Sequence, residues 1–434
     1  MKKIVLPLML LAPILQAKFN ACEFRLKNGL QVICVEKKSS PIVLFSIWYR
    51  CGSKCDAVSK TGVAHYLEHM AIASDKLSRD FLEGMGAEHN AFTSINLICF
   101  YEIVPLKALD RIFEYEAKRM ELPSINDEEF VGEKGAILEE RNQRVDNDPD
   151  GAQREVLLSN IFNREIGGSA LIGWKHEIES IQKQDLYEFH QKWFAPNNAI
   201  LVIVGDCSPD DVKTLAEKHF AIKKMKKMPE EKTENREFSG LKEIVCSSPK
   251  RGLFSSVEYI YNVPFSSKKN FRKSLALDMG LKILNQPAFF LKKTLKHVLN
   301  IANDVAFSYT KGIFQCDIVS VSISSSSPEN LADSIKTWKY LKNKLLTLGV
   351  STGELEVVKR KEKLAQAYQR NNIEYVANYF GWLAVCGYSL KDIQTSDEII
   401  DSITAAECNQ ALREVFSSIQ IAEQQAIPKG YDRD

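Results

Sequence analysis

The chain begins with apolar runs of the length and alternation that predict short strands. Residues 24–35 enclose the turn Lys27-Asn28-Gly29 and predict a β-hairpin, and residues 42–48 predict a further strand. From residue 63 to about residue 120 the apolar spacing is mainly helical, with a second strand region at residues 95–104. The first half of the chain therefore mixes strands and helices.

The second half repeats this mixture. Residues 305–324 predict a strand region, long helical patterns follow from residue 328, and Ser351 with Glu354 forms a helix-capping signal. Neither half has the regular strand–helix–strand alternation of a parallel sheet. The pattern favours an α+β fold in which helices pack on one face of a mostly antiparallel sheet.

An internal repeat relates the two halves. Residues 178–194 align without gaps with residues 400–416, at an offset of 222 residues, which is about half the chain. Both copies precede an extended apolar run, at residues 199–204 and 419–427. Chance similarity between two amphipathic helices is the alternative, but the position of each copy at the end of its half favours duplication.

A charged stretch separates the halves. Residues 218–240 become rich in lysine and glutamate and lose their apolar periodicity. We place the linker at residues 226–245, between a first half of residues 18–225 and a second half of residues 246–434. Two large units suit a chain of 434 residues.

Composition narrows the class of partner. Hydrophobic residues make up 45% of the chain and charged residues 26%, as in ordinary folded soluble proteins. Lys plus Arg number 57 and Asp plus Glu 56, so the formal net charge is +1. This balance creates no overall field that would attract a phosphate backbone or an anionic membrane, and nucleic acid is not expected as a partner.

The first 17 residues resemble a secretory signal peptide. Two lysines precede a short apolar stretch that ends at Ala17 and is shorter than the roughly 20 residues of a membrane span. An uncleaved anchor and a buried N-terminal strand are the alternatives. No later segment has the character of a membrane helix, so we expect a periplasmic or secreted protein without a stable membrane span.

The cysteine pattern leaves disulfides open. Cys22 and Cys34 flank the predicted hairpin turn, and Cys51 and Cys55 are close in sequence, so either pair could form a disulfide in an oxidising compartment. Ordinary buried thiols explain both pairs equally well. The chain contains no Cys-x-x-Cys, so a cysteine-based zinc or redox motif has no support.

The motif with the clearest chemistry is His65-Tyr-Leu-Glu68-His69, within a stretch of helical pattern. Two histidines four residues apart project from one face of a helix and can bind one metal ion, and Glu68 lies beside them. H-x-x-E-H is the inverzincin signature. The alternative is a helix with two ordinary histidines, but the chain has only seven in total.

A catalytic zinc usually takes three protein ligands, so the motif needs one more. The helical segment at residues 126–145 carries Glu133 and Glu140 seven residues apart, on one face. Such a pair can direct one carboxylate at a metal and hold the other nearby. From spacing alone, a solvated acidic face is the better interpretation.

Four motifs in order along the chain carry a family resemblance. They are GVAHYLEHM at residues 62–70, MGAEHNAFTS at 85–94, Glu133-x6-Glu140, and WFAPNNAILVIVG at 193–205. In these motifs the chain resembles the pitrilysin/insulinase family of zinc peptidases, and is similar to its single-copy bacterial members and to the mitochondrial processing peptidase β-subunit. The resemblance extends over nearly the whole chain.

The resemblance implies two similar α+β halves that form a clam, with one zinc ion per chain in the first half. It implies His65, His69 and Glu140 as the zinc ligands. It also implies Glu68 as the base that activates water and Glu133 as a supporting acidic residue. Asn90 and Ala91 would lie by an edge strand that pairs with an extended substrate.

The expected function is that of a zinc-dependent endopeptidase. It would hydrolyse peptides or unfolded segments through a zinc-activated water, with Glu68 as base and without a covalent intermediate. The alternative is a non-catalytic structural or peptide-holding subunit of the same fold.

One departure from the family bears on the partner. Active members use an Arg and a Tyr seven residues apart, supplied by the second half or by a partner chain, to hold substrate near the metal. The matching positions here are Lys296 and Asn303, although Tyr309 is near in sequence. We therefore expect a homodimer, or a heterodimer with a related chain that supplies the Arg/Tyr pair.

Overall fold

A computed structural model describes most of the chain. The described residues are 19–38, 41–73, 80, 82–121, 124–161, 170–229, 242–248, 255–264, 269–313, 316–418 and 420–428. The strands are β1 (Asn20–Arg25), β2 (Gln31–Glu36), β3 (Ile42–Tyr49), β4 (Glu88–Thr93), β5 (Ile98–Pro105), β6 (Ala199–Gly205), β7 (Lys242–Ser248), β8 (Ser255–Asn262), β9 (Asp304–Ile313), β10 (Cys316–Ser325) and β11 (Gln420–Pro428).

The principal helices of the first half are α1 (Val63–Ala73), α2 (Leu109–Arg119), α3 (Asp127–Arg141), α4 (Pro149–Ile161), α5 (Lys175–Ser180), α6 (Lys183–Trp193) and α7 (Pro209–Phe220). Those of the second half are α8 (Phe271–Leu284), α9 (Pro328–Leu348), α10 (Thr352–Gln369), α11 (Ile373–Val385), α12 (Leu390–Ser402) and α13 (Ala405–Phe416). Thr404 caps α13 together with Glu407. Ser351 and Glu354 cap α10 in the same way, as their sequence signal predicts.

The first half contains a six-stranded sheet in the order β1-β2-β6-β3-β5-β4. β6 runs parallel to β2, and the other neighbouring strands are antiparallel. Every residue of β6 is buried. Its continuous apolar sequence is what a strand requires when both faces of the sheet are covered.

The second half repeats this topology in a five-stranded sheet, ordered β7-β11-β8-β10-β9. β11 runs parallel to β7 and antiparallel to β8, just as β6 runs parallel to β2 and antiparallel to β3. The repeated segments predicted from the sequence, α6 and α13, each lead into these matching strands. The predicted α+β fold of two similar halves is thus confirmed.

The halves exchange one helix each. α11 of the second half covers the face of the first sheet that its own helices leave open, and the equivalent helix α4 of the first half covers the second sheet. The approach of α11 is close, because a Cβ on Gly381 would lie 2.1 Å from the Trp48 ring. Each sheet therefore has its own helices on one face, as predicted, and a helix of the other half on the opposite face.

β4 corrects one prediction. The sequence pattern assigns the region around residues 88–93 to a mainly helical segment, whereas the structure has an edge strand there, paired with β5. The segment is polar, with burial that follows no clear period, so its strand conformation depends on pairing with β5 and leaves no local apolar signal.

The cysteine positions agree with the hairpin. Cys22 lies directly opposite Cys34 in the β1–β2 register. In the structure Cys22, Cys34, Cys51 and Cys55 are all free thiols.

The described residues cover three further predictions to different extents. The predicted signal peptide, residues 1–17, lies outside them. The predicted linker is described at residues 226–229 and at 242–245, where β7 begins, and its boundaries remain a prediction. Across the described residues, no helix has both the length and the apolar character needed to cross a membrane.

Candidate metal centre

Helix α1 presents the H-x-x-E-H motif, and a buried carboxylate anchors the start of this helix. Asp56 accepts hydrogen bonds from the backbone N–H groups of Gly62 and Ala64, both at 2.8 Å. The carboxylate thereby satisfies donors that the first turn of a helix leaves unpaired. Gly62 has a φ of +92°, a conformation that favours glycine. These contacts fix the start of α1 independently of its histidines.

Helix α3 supplies the acidic pair. Asn126 caps this helix by accepting a hydrogen bond from the Glu129 N–H. Ile137, on the face that carries Glu133 and Glu140, is fully buried in the hydrophobic core of the first half. Because that face packs on α1, both carboxylates point toward the histidines. The solvated acidic face that spacing alone favours is therefore not what the structure contains.

The three predicted ligands converge on one point. Glu140 Oε2 lies 3.5 Å from His65 Nε2 and 3.4 Å from His69 Nε2, and the three ligand atoms lie within 4.8 Å of one another. A tetrahedral zinc with bonds of about 2.0–2.2 Å would hold its ligand atoms roughly 3.3–3.6 Å apart. The two His–Glu separations fit that geometry. Within the described residues, this is the only cluster of three or more His, Cys, Asp or Glu that could hold a metal.

Two neighbours hold the ligands in place. Glu133 Oε2 lies 2.9 Å from His69 Nδ1, the nitrogen that faces away from the cluster, so it orients the imidazole and sets its tautomer. Arg144 Nη1 lies 2.6 Å from Glu140 Oε1, the oxygen that faces away from the histidines. These contacts leave one nitrogen of His69 and one oxygen of Glu140 directed at the shared point.

The pKa shifts of His65 and Glu140 favour the protonation states that bind a cation. Burial lowers the pKa of His65 to about 4, and the neighbouring His69 adds to this effect, so His65 is neutral at pH 7. Burial alone would lower the pKa of His69, but hydrogen bonds with Glu140 and Glu133 raise it. The hydrogen bond with His69 in turn lowers the pKa of Glu140. A neutral imidazole and a carboxylate are the forms that bind metal ions.

Glu68 lies beside this cluster and is only 6% exposed. Burial raises the pKa of its carboxyl group, and a hydrogen bond from Thr93 opposes that rise. Thr93 Oγ1 donates this bond to Glu68 Oε2 at 2.5 Å. A buried carboxylate with a raised pKa, next to a group that could hold a metal, is suited to accept and release a proton.

One cavity contains all seven predicted site residues. It has a volume of about 810 Å³, and its lining includes His65, Glu68, His69, Asn90, Ala91, Glu133 and Glu140. Asn90 and Ala91 belong to β4, which is an edge of the first sheet. The Ala91 N–H donates to Asn90 Oδ1 at 2.8 Å. One backbone donor of this edge strand is therefore hydrogen-bonded to a side chain.

The second half adds little to this cavity. Among the described lining residues, it contributes Thr310 and Trp382. Lys296 instead forms an ion pair with Asp304 at 2.8 Å, Asn303 is exposed, and the Tyr309 hydroxyl contacts Ser274 and Asp317. None of these three positions belongs to the described lining of the cavity.

The equivalent cleft of the second half differs in chemistry. Helix α8 contacts α10, α13 and β9 as α1 contacts α3, α6 and β4, but α8 carries no histidine. The cleft has a volume of about 170 Å³. In it, Lys282 Nζ lies 3.1 Å from Asp278 and 2.8 Å from Glu362, so one ammonium group is paired with two carboxylates.

Sequence reasoning missed Asp56, Thr93 and Arg144. Arg144 could have been inferred, because it follows Glu140 by four residues on a helical pattern. Asp56 and Thr93 are separated from their partners by loops or by another element, so no spacing rule identifies them.

The chain matches two family models. Residues 31–173 match the model described as Insulinase (Peptidase family M16), and residues 180–362 match the model described as Peptidase M16 inactive domain.

Curated relatives and solved structures agree with these matches. A zinc protease, PqqE, of Helicobacter pylori is 29% identical over 201 residues, which are 45% of this chain and 45% of that protein. The bovine mitochondrial-processing peptidase subunit beta is 28% identical over 47% of this chain and 43% of its own. These alignments thus span less than half the length of either relative.

Similarity of fold extends further. The crystal structure of a protease from Helicobacter pylori superposes with a TM-score of 0.83 at 23% identity, covering 95% of this chain and 100% of that one. The first half of the periplasmic protease PqqL from Escherichia coli superposes with a TM-score of 0.74 at 18% identity, covering 94% and 92%.

Proposed function

The chain belongs to the M16, or insulinase, family of peptidases, and on that premise we propose that it is a zinc-dependent endopeptidase. Its substrates would be peptides or unfolded protein segments. The observation that carries the proposal is the convergence of His65, His69 and Glu140, with Glu68 beside them in one cavity.

The chemistry follows from the roles of these residues. A zinc ion held by His65, His69 and Glu140 would polarise the scissile carbonyl and lower the pKa of a water molecule. Glu68 accepts the proton of the attacking water on its carboxylate and transfers it to the leaving amine. Glu133 keeps His69 oriented throughout, through its contact with Nδ1. No residue of the chain forms a covalent bond to the substrate.

The substrate would bind as an added strand on β4. An edge strand offers backbone hydrogen bonds to an extended peptide, and these are read with little regard to side-chain identity. A peptide that adds at Ala91 must displace the side-chain oxygen Oδ1 of Asn90 from the Ala91 N–H. The cavity of about 810 Å³ holds a short stretch of chain and excludes a folded domain.

A partner would complete the substrate site. The described part of the second half lends the cavity only Thr310 and Trp382, neither of which can form the bidentate hydrogen bonds of an arginine. We propose a homodimer, or a heterodimer with a related chain that supplies an Arg/Tyr pair. The compartment would be the periplasm or the outside of the cell, which agrees with the structural similarity to a periplasmic protease.

The metal is the first test. Purified wild-type protein is expected to hold about one zinc per chain, because one three-ligand cluster among the described residues fits the ion. His69→Ala removes one ligand and should reduce the zinc content to a small fraction of this value. His297→Ala, an exposed histidine of the second half, should leave the zinc content unchanged. Metal analysis of the three proteins measures both effects.

The metal result also separates the proposal from its alternative. A non-catalytic, peptide-holding subunit has no need of a bound zinc. Wild-type protein that contains no zinc after purification and zinc dialysis would favour that alternative over the peptidase.

Peptide cleavage tests the reaction and the partnership together. With internally quenched, unstructured peptides, we expect weak chelator-sensitive cleavage by the chain alone and faster cleavage after addition of a related chain that carries an Arg/Tyr pair. The same sequences within a folded protein should resist cleavage, because the cavity excludes folded domains. Full activity of the chain alone would refute the need for a related chain with an Arg/Tyr pair, and no cleavage under either condition would refute the peptidase.

A further inference from the structure

The hydroxyl of Thr93 makes the closest polar contact of the Glu68 carboxylate. Thr93 Oγ1 donates to Glu68 Oε2 at 2.5 Å, and both residues line the cavity that contains the metal cluster. Within the described residues, no other side chain hydrogen-bonds to Glu68. A short bond from a hydroxyl to an ionised carboxylate belongs to the stronger class of hydrogen bonds.

The bond has a mechanical consequence for Glu68. A glutamate side chain has three rotatable bonds, and α1 fixes only its Cα and Cβ positions. Thr93 holds one carboxylate oxygen, Oε2, and thereby limits the rotation of the group. The other oxygen, Oε1, makes no hydrogen bond within the described residues, so it can accept a proton.

The position of Thr93 connects Glu68 to the strand that would bind substrate. Thr93 is the last residue of β4, three residues after Asn90, and it pairs with Ile98 of β5. A peptide added to β4 would therefore be aligned by the same strand that holds Glu68. This arrangement fixes the distance between the base and the peptide bond, which is what proximity effects in catalysis require.

We propose that Thr93 is a positioning residue that orients Glu68 and sets its register with the bound peptide. The inference rests on the proposed peptidase function. Thr93 would not touch the reacting atoms itself and would act through the Glu68 carboxylate alone.

Two substitutions separate the hydroxyl from the shape of the side chain. Thr93→Val keeps the branched shape that suits a strand and removes the hydroxyl, whereas Thr93→Ser keeps the hydroxyl. We expect Thr93→Val to reduce kcat about 10- to 100-fold, a fraction of what a general base contributes. In Thr93→Val, KM, zinc content and thermal stability should change little. Thr93→Ser should retain most of the wild-type kcat.

A double mutant adds a readout that a purely structural role would not produce. In a Glu68→Gln background the base is absent, so adding Thr93→Val should cause no further loss of kcat. If Thr93→Val does not fold, Thr93→Ala, which removes the same hydroxyl, takes the place of the valine variant in these measurements.

The outcomes distinguish this inference from the proposed function. If wild type cleaves peptides and Thr93→Val cleaves with the same kcat, or if the Val and Ser variants lose kcat equally, the inference is overturned and the peptidase stands. If wild type does not cleave with or without a related partner chain, the proposed function fails and this inference fails with it.

Discussion

A Glu68→Gln variant is expected to retain zinc and to hydrolyse peptides roughly 10²–10⁴-fold more slowly than wild type. Glutamine has nearly the same shape as glutamate and can still accept the hydrogen bond from Thr93 through its amide oxygen. It cannot take up a proton at neutral pH. Because the three ligands His65, His69 and Glu140 are untouched, metal binding and proton transfer are separated in one substitution.

The measurement is kcat/KM on unstructured peptides, with the zinc content of the same sample. Glu139→Gln is the matched control, because Glu139 is an exposed glutamate on α3 next to the ligand Glu140. This control should behave as wild type. A Glu68→Gln protein that still cleaves at the wild-type rate would remove Glu68 as the base, and one that loses zinc would show that Glu68 supports the metal.

An Arg119→Met variant is expected to lose about 3–5 kcal/mol of unfolding free energy, because it removes the cation that is paired with two buried acidic side chains. The Arg119 side chain is 6% exposed, and Glu102 and Glu116 are fully buried. Arg119 Nη1 lies 3.0 Å from Glu116 and 3.4 Å from Glu102. The guanidinium also stacks 4.6 Å from the centre of the Phe100 ring. Urea-induced unfolding of variant and wild type measures the difference.

One variant serves as the control for this result. Arg111→Met removes an exposed ion pair with Glu114 on the same helix and should change stability by less than about 1 kcal/mol. If the stability of the Arg119→Met protein also lies within about 1 kcal/mol of wild type, the buried cluster contributes little to stability.

Glu102→Gln tests the charge state inside the cluster. Burial and the neighbouring Glu116 raise the pKa of Glu102 well above its usual value, so the folded protein keeps this carboxyl protonated to a higher pH than the unfolded chain does. The unfolded chain releases the proton above a pH of about 4. The contribution of Glu102 to stability therefore falls as the pH rises from there toward the raised pKa. Glutamine imitates the protonated acid, so Glu102→Gln should cost little at neutral pH and should weaken this pH dependence.

The sequence predicted much of the fold because its signals are local. The hairpin, β3, β6 and the capped helices α10 and α13 each follow from residues within one element, since apolar periodicity and capping act over a few positions. The prediction of a mainly helical segment at residues 88–93 was wrong for the same reason. Its conformation comes from pairing with β5, and a polar edge strand has no apolar period of its own.

The exchange of helices was also beyond local reasoning. α4 has only a weak apolar stripe and α11 is apolar over most of its surface, but neither sequence specifies which sheet the helix covers. That choice depends on the connection of the chain in three dimensions. It is also the reason why Trp382 of the second half reaches the cavity of the first.

By itself, the sequence predicted the kinds of side chain at the candidate site. The spacing of His65, Glu68 and His69 on one helix specifies two nitrogen ligands and an adjacent carboxylate, because helical geometry places them on one face. The tertiary structure decided which of many acidic residues joins them. Glu140 comes 71 residues after His69, and only the packing of α3 on α1 brings its oxygen to 3.4 Å. Other contacts of α1, with β4 and with the loop before the helix, make Thr93 and Asp56 neighbours of the site, and these contacts have no signature in helical spacing.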